Sequence, residues 1–160
     1  MSIDTTRQYC PICSAEIEVP VDIIAAMTAA PGLIAKAVRA APRSGGDRWS
    51  PAEVAAHLAD TEVVSGWRLR QILAEDEPAI QPYDQEKWAA ALRYPKRDVE
   101  LALEAFAAAR RANLELLRLL SDDEWERAYV QPEYGRQTLR AKIRHISDHD
   151  LAHLRQIRGG

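Results

Sequence analysis

Apolar and polar positions follow two rhythms along this chain. Over Glu16-Ile17-Glu18-Val19 they alternate strictly, which predicts a short strand or extended piece within residues 1–19. From about Val21 the spacing turns helical and stays so. A first helix is predicted over Val21–Ala41, with Pro31-Gly32 in its middle; the proline should kink it or begin a second segment. Arg43 to Asp47 reads as a loop. Ser50-Pro51-Ala52-Glu53 is a capping box with proline at the first helical position. It opens a long helix to about Glu75, with Val54, Leu58, Thr61 and Val64 inward and His57 on the same side.

Glu77 to Pro95 is polar and proline-rich, with a short helix expected around Asp84–Leu92. A third long helix is expected over Arg97–Leu120, with Val99, Leu103, Phe106, Leu117 and Leu120 inward. Ser121-Asp122-Asp123-Glu124 is a second capping box and opens one turn through Trp125. Tyr129–Gly135 reads as a loop. Thr138 caps a last helix to about Arg158, with Leu139, Ile143, Ile146, Leu154 and Ile157 inward. The economical arrangement is an all-α, four-helix bundle over residues 20–160, with short connecting helices. A small non-helical N-terminal extension, residues 1–19, carries Cys10-Pro11-Ile12-Cys13.

Composition sharpens this picture. Alanine supplies 27 of 160 residues against 7 Gly and one Phe, a balance that favours helices over strands. The net charge of −3 argues against nucleic acid as a partner. The nearest approach to a membrane span, Ile23 to Val38, is interrupted by Thr28, Pro31, Gly32 and Lys36, and the start lacks a signal-peptide pattern. The expectation is a cytoplasmic protein with no membrane partner. Arg136, Arg140, Lys142, Arg144, Arg155 and Arg158 cluster near the end of the chain. They are read as a solvated face, or as a greeting for an anionic substrate.

Candidate chemistry lies in the histidines. His145, His149 and His153 recur every four residues in the last helix. Neighbours at that spacing differ by about 40° around the axis and about 6 Å along it, so two imidazoles reach one metal ion from one helix. His149 and His153 border the apolar stripe. His57 faces inward on another helix and completes a three-imidazole set if the two helices are neighbours. Such a set leaves coordination positions open. Histidines that merely fill the core, each with its own hydrogen-bond partner, account for the same spacing. His145 is assigned a supporting or solvent-facing place, and Asp148 and Asp150 are assigned to solvent. Glu62 and Asn113 are inward polar groups that either position a substrate or bond within the bundle. Trp67 and Trp88 either line a pocket or fill a core poor in Phe.

The run Trp49-Ser50-Pro51-Ala52-Glu53-Val54-Ala55-Ala56-His57-Leu58-Ala59-Asp60 resembles the second helix of the DinB-like superfamily. The run from His145 to Ile157, His-Ile-Ser-Asp-His-Asp-Leu-Ala-His-Leu-Arg-Gln-Ile, resembles its C-terminal signature. The proline-bearing first helix and Tyr83-Asp84-Gln85-Glu86-Lys87-Trp88 fit as well, so the resemblance covers about residues 20–158. It implies a four-helix bundle, often dimeric, holding a divalent metal on three histidines that match His57, His149 and His153. Zinc or nickel is the expected ion, with iron as a third candidate. Family members are described as metal-dependent hydrolases, and a characterised branch transfers low-molecular-weight thiols. Metal-activated water and a metal-held thiol are therefore both open as the reacting species. No further catalytic residue is assigned.

The cysteine segment lies outside that resemblance. Cys10 and Cys13 read first as a relic knuckle or a packed pair of small side chains. A zinc site completed by a dimer mate and a redox dithiol are the other readings. Two function classes stand: a metal-dependent hydrolase or thiol transferase acting on a small molecule, and a non-catalytic, metal-stabilised module working through protein contacts.

Overall fold

The computed structural model describes residues 3–10, 15–42 and 49–159. Two strands, β1 (Thr5–Cys10) and β2 (Ala15–Pro20), form an antiparallel hairpin in which Cys10 pairs with Ala15. Four long helices follow: α1 (Ile23–Ala40), α2 (Pro51–Ala74), α4 (Val99–Leu119) and α6 (Leu139–Ile157). Short helices α3 (Gln85–Ala91) and α5 (Asp122–Trp125) and a 3-10 turn (Tyr94–Lys96) occupy the connections.

Each long helix begins where its capping residue can satisfy a free N–H. Asp22, Ser50, Asp98 and Thr138 accept from Ala25, Glu53, Leu101 and Ala141. Such caps contribute about 1 kcal/mol each. The Ser50–Glu53 box is reciprocal, because the Glu53 carboxylate also accepts from the Ser50 N–H at 2.9 Å. Pro31 neither ends α1 nor starts a new segment; the helix runs through it. By length and composition alone α1 is apolar enough to cross a membrane, and its stripe of Ala26, Met27, Ala30, Ile34 and Val38 is buried in the core.

Around the bundle, α1 lies against α4 and α6, and α2 lies against the same two, so α1 and α2 are diagonal. Small residues make this close approach possible. Ala55, Ala56 and Ala59 of α2, Ala102 of α4 and Ala30 of α1 are all buried. One apolar cluster joins Ile34, Leu58, Leu103, Phe106 and Leu154, and a second joins Met27, Leu69, Ile72, Leu114, Tyr129 and Ile143. Burial of each large apolar side chain is worth about 1.5–3 kcal/mol.

The loop expected over Tyr129–Gly135 is instead a second small hairpin, β3 (Ala128–Gln131) with β4 (Gly135–Thr138). Its turn closes on Gly135, at a φ of 68° that glycine adopts without penalty. β3 is further held by the Ile80 N–H on the Val130 carbonyl and the Val130 N–H on the Pro78 carbonyl. The fold is therefore mostly helical but contains two small sheets. The first hairpin lies along α6, where Glu18 pairs with Arg155. Cys13 lies outside the described residues.

Candidate metal centre

Helices α2 and α6 are neighbours, and three imidazoles meet between them. The Nε2 atoms of His57 and His149 are 3.0 Å apart, and those of His149 and His153 are 3.2 Å apart. One nitrogen from each of the three lies within 4.8 Å of the others. The rings are tilted or edge-on with centroids 4.4–5.1 Å apart, so they are not stacked. Helical spacing alone brings His149 and His153 together; packing of α2 on α6 adds His57.

The surroundings favour neutral imidazoles. Burial lowers the pKa of His57 to about 4, with help from the charge of His153. It lowers His149 well below the ordinary value, followed by repulsion from His153 and His57. Burial also lowers His153, and its bond to Gln156 opposes this. In that bond, His153 Nδ1 lies 2.8 Å from Gln156 Oε1. A carboxamide oxygen only accepts, so the proton sits on Nδ1 and Nε2 is left with its lone pair facing the cluster. His57 Nδ1 is buried without a hydrogen-bond partner among the described residues, and the Trp49 ring packs 5.0 Å from its ring.

Three converging neutral nitrogens cannot all donate to one another, since each ring carries one N–H. A divalent cation of borderline softness meets this donor set, for imidazole is a ligand that zinc, nickel and iron share. The residues fit such an ion. At the edge of the cluster, Thr61 Oγ1 lies 3.4 Å from His57 Nε2 and 3.1 Å from the Tyr83 hydroxyl.

Several sequence expectations change here. Asp150 is not solvated: it is 3% exposed and paired with Arg110 of α4, because α6 is covered on more than the face that carries His149. Glu62 and Asn113 take the second of their two expected places and bond within the bundle, the Asn113 amide donating to the Glu62 carboxylate at 2.8 Å. Trp67 is 64% exposed and so does not fill the core. Trp88 supports Tyr83, with rings 4.5 Å apart. His145 is half-buried, and its Nδ1 lies 3.8 Å from Cys10 Sγ of the first hairpin. Lys142, counted with a solvated basic face, is buried. Gln156, Tyr83 and Arg110 were not singled out. Gln156 carried a signal in its spacing of three from His153, and Arg110 in its spacing of four from Phe106.

Known proteins match this chain in sequence and in fold. The DinB superfamily model matches residues 27–157. A protein of Oceanobacillus iheyensis named “Putative metal-dependent hydrolase” is 34% identical over 115 residues, 72% of this chain and 65% of that protein. YfiT of Bacillus subtilis, with the same description, is 29% identical over 120 residues, covering 72% of this chain and 66% of that one. The chain thus spans just under two thirds of the length of these relatives. A solved structure of YfiT, described as a probable metal-dependent hydrolase with an unusual four-helix bundle topology, superposes with a TM-score of 0.78. It is 26% identical, covering 86% of this chain and 82% of that one. With the bundle, the histidine cluster and the family match in agreement, the chain belongs to the DinB superfamily.

Proposed function

We propose that this protein is a metal-dependent enzyme that holds zinc or nickel on His57, His149 and His153 and acts on a small molecule, by hydrolysis or by transfer of a low-molecular-weight thiol. The convergence of the three Nε2 atoms carries this reading. A divalent ion supplies Lewis acidity and lowers the pKa of whatever protic group binds it. The chain's own residues do the rest. Gln156 holds the His153 proton at Nδ1, which keeps Nε2 available. Trp49 and the buried wall of α2 exclude water from the rear of His57. The paired hydroxyls of Thr61 and Tyr83 stand at the rim, where they can donate to a substrate oxygen or sulfur.

Elemental analysis of the purified protein tests the site. Stoichiometric zinc or nickel in the wild type, lost in His149→Ala, is the expected result. Absence of metal from the wild type, or its retention in the variant, rejects the proposal. Small thiols with electrophilic acceptors, assayed beside simple esters and amides, then separate transfer from hydrolysis.

A further inference from the structure

The groove side chains of α2 and α6 do not end at the histidines. His57, Thr61, Ser65 and Arg68 share one face of α2, and His153, His149, His145 and Lys142 share one face of α6. The imidazoles meet at one end of these two rows. At the other end Leu69 and Ile72 of α2 pack in one apolar cluster with Leu139 and Ile143 of α6 and with Tyr129, which sets Arg68 and Lys142 at the same level of the bundle, while Val54 and Leu58 pack with Leu154 and Ile157. The two helices therefore run antiparallel, with a cationic pair beyond the candidate metal centre.

Among the described residues this pair has no counter-charge. Lys142 is 7% exposed, and among the described residues no carboxylate pairs with it; its ammonium instead lies 5.7 Å from the centroid of the Tyr129 ring. Tyr129 is wholly buried, yet its hydroxyl has no hydrogen-bond partner among the described residues. Arg68 is half-buried and also lacks a described carboxylate. It donates to the Gln81 carbonyl and lies 5.5 Å from the Tyr83 ring centroid. Tyr83 in turn reaches Thr61 and, through it, the edge of His57. Burying a cation without a partner costs several kcal/mol, and an orphaned hydroxyl adds to that cost. An arginine, a buried lysine amine that an anion would keep protonated, and a hydroxyl with no partner among the described residues form a donor set for an anion at one end of a polar row.

We propose that Arg68, Lys142 and the Tyr129 hydroxyl seat an anionic group, a carboxylate or a phosphate, of an elongated substrate whose reacting end lies among His57, His149 and His153. Seven residues of α6 separate Lys142 from His149, and eleven of α2 separate Arg68 from His57. At 1.5 Å per residue the two ends of the substrate are about 10–16 Å apart. An extended molecule of three to five amino-acid lengths spans that distance. The position of the reacting end rests on the metal-enzyme reading; the anion seat does not.

The test is calorimetric titration of the whole protein with inorganic phosphate and, separately, with succinate, in buffer of low chloride. Wild type, Arg68→Met, Lys142→Met, Tyr129→Phe and His149→Ala are compared, with metal content measured for each. Wild type should bind at least one of the two anions, and the preferred one names the group. Arg68→Met and Lys142→Met should each weaken binding at least tenfold, and Tyr129→Phe severalfold. In the His149→Ala background, which lacks the metal site, adding Arg68→Met should weaken the remaining anion binding at least tenfold. Equal binding by wild type and the three seat variants overturns the proposal, as does failure of wild type to bind either anion. Loss of binding in His149→Ala with retention in the seat variants places the anion at the histidines and also overturns it. If Lys142→Met does not fold, Lys142→Gln and the half-buried Arg68→Gln serve in its place. A wild type free of metal that still binds anion through Arg68 and Lys142 rejects the metal reading alone.

Discussion

The guanidinium of Arg110 donates to the main-chain carbonyl of Met27 at 3.2 Å. That carbonyl sits four residues before Pro31, which has no N–H to offer it. Arg110 thus replaces the hydrogen bond that the proline removes from α1. The same side chain donates twice to Asp150 of α6, at 2.6 and 3.2 Å, and once to Glu62 of α2, at 2.8 Å. One cation in α4 therefore ties together all four long helices, directly beneath the residue that follows His149. Burial pushes Asp150 up to about 6, against the pull of Arg110. Arg110 itself stays charged, because two carboxylates share it.

Arg110→Met should be among the most destabilising single substitutions in the chain. It strands Glu62 and Asp150 without a cation, and breaking a buried pair by removing one partner costs about 3–5 kcal/mol. Urea unfolding measures the loss. Adding Glu62→Gln and Asp150→Asn to Arg110→Met should recover part of it, whereas a loss below about 1 kcal/mol in the single variant would show that the network carries little of the stability.

Gly66 marks the close approach of α2 to α4. A Cβ there would lie 2.5 Å from Asn113 Oδ1. Asn113 cannot easily yield, since it donates to Glu62 and accepts from Arg70 at 3.0 Å. Gly66→Ala should lose about 1–3 kcal/mol through overpacking, although alanine is the better helix former. Thermal unfolding gives the sign directly, and a stabilised variant would contradict the packing argument.

Lys142 sets a pH dependence with a definite sign. Burial, aided by Arg68, lowers its pKa from 10.5 to about 7. Between about pH 7 and 10.5 the unfolded chain holds a proton that the folded one lacks, so folding stability from this group rises with pH across that window. Below pH 7 the burial penalty is present in full. In buffer free of binding anions, Lys142→Met should be more stable than wild type at pH 6, and should remove a slope of roughly 1 kcal/mol per pH unit above 7. The charged group facing Lys142 from α2 is Arg68, and the titratable one on its own helix is His145. Denaturant midpoints from pH 6 to 10 decide the matter; identical slopes in the two proteins would refute it.

Among the described residues Gln156 hydrogen-bonds His153 and neither of the other two histidines of the cluster, so its removal should act through His153. Gln156→Ala frees the His153 tautomer and should weaken metal binding about 10–100-fold, as loss of a ligand's supporting hydrogen bond does. Competition with a chromophoric chelator measures this. The apo-protein's unfolding midpoint should hardly move, and an unchanged metal affinity would mean that Gln156 does not orient the ligand.

Much of the helical fold was legible because its signals are local. The Ser50 and Ser121 capping boxes, the Thr138 cap and the apolar stripes each depend on residues within one or two turns. The second hairpin was not legible: Tyr129-Val130-Gln131 is too short for its alternation to stand out, and its pairing with residues 135–138 needs the turn at Gly135. The pairing of His149 with His153 likewise followed from helical geometry alone, while the arrival of His57 was conditional on packing.

What the sequence determined by itself is the set of helices and the faces they present, since both follow from a fixed 100° rotation per residue and from caps that bond locally. What only the tertiary structure decided is which faces are covered. Asp150 and Lys142 carry charge and read as surface from their own helix, yet both are buried by other elements, one against Arg110 and one against Tyr129. Burial of a charge depends on partners remote in sequence, such as the forty residues between Arg110 and Asp150. No local rule reports that distance. The same holds for the four histidines, three of which meet only because α2 packs antiparallel to α6, while His145 turns to Cys10.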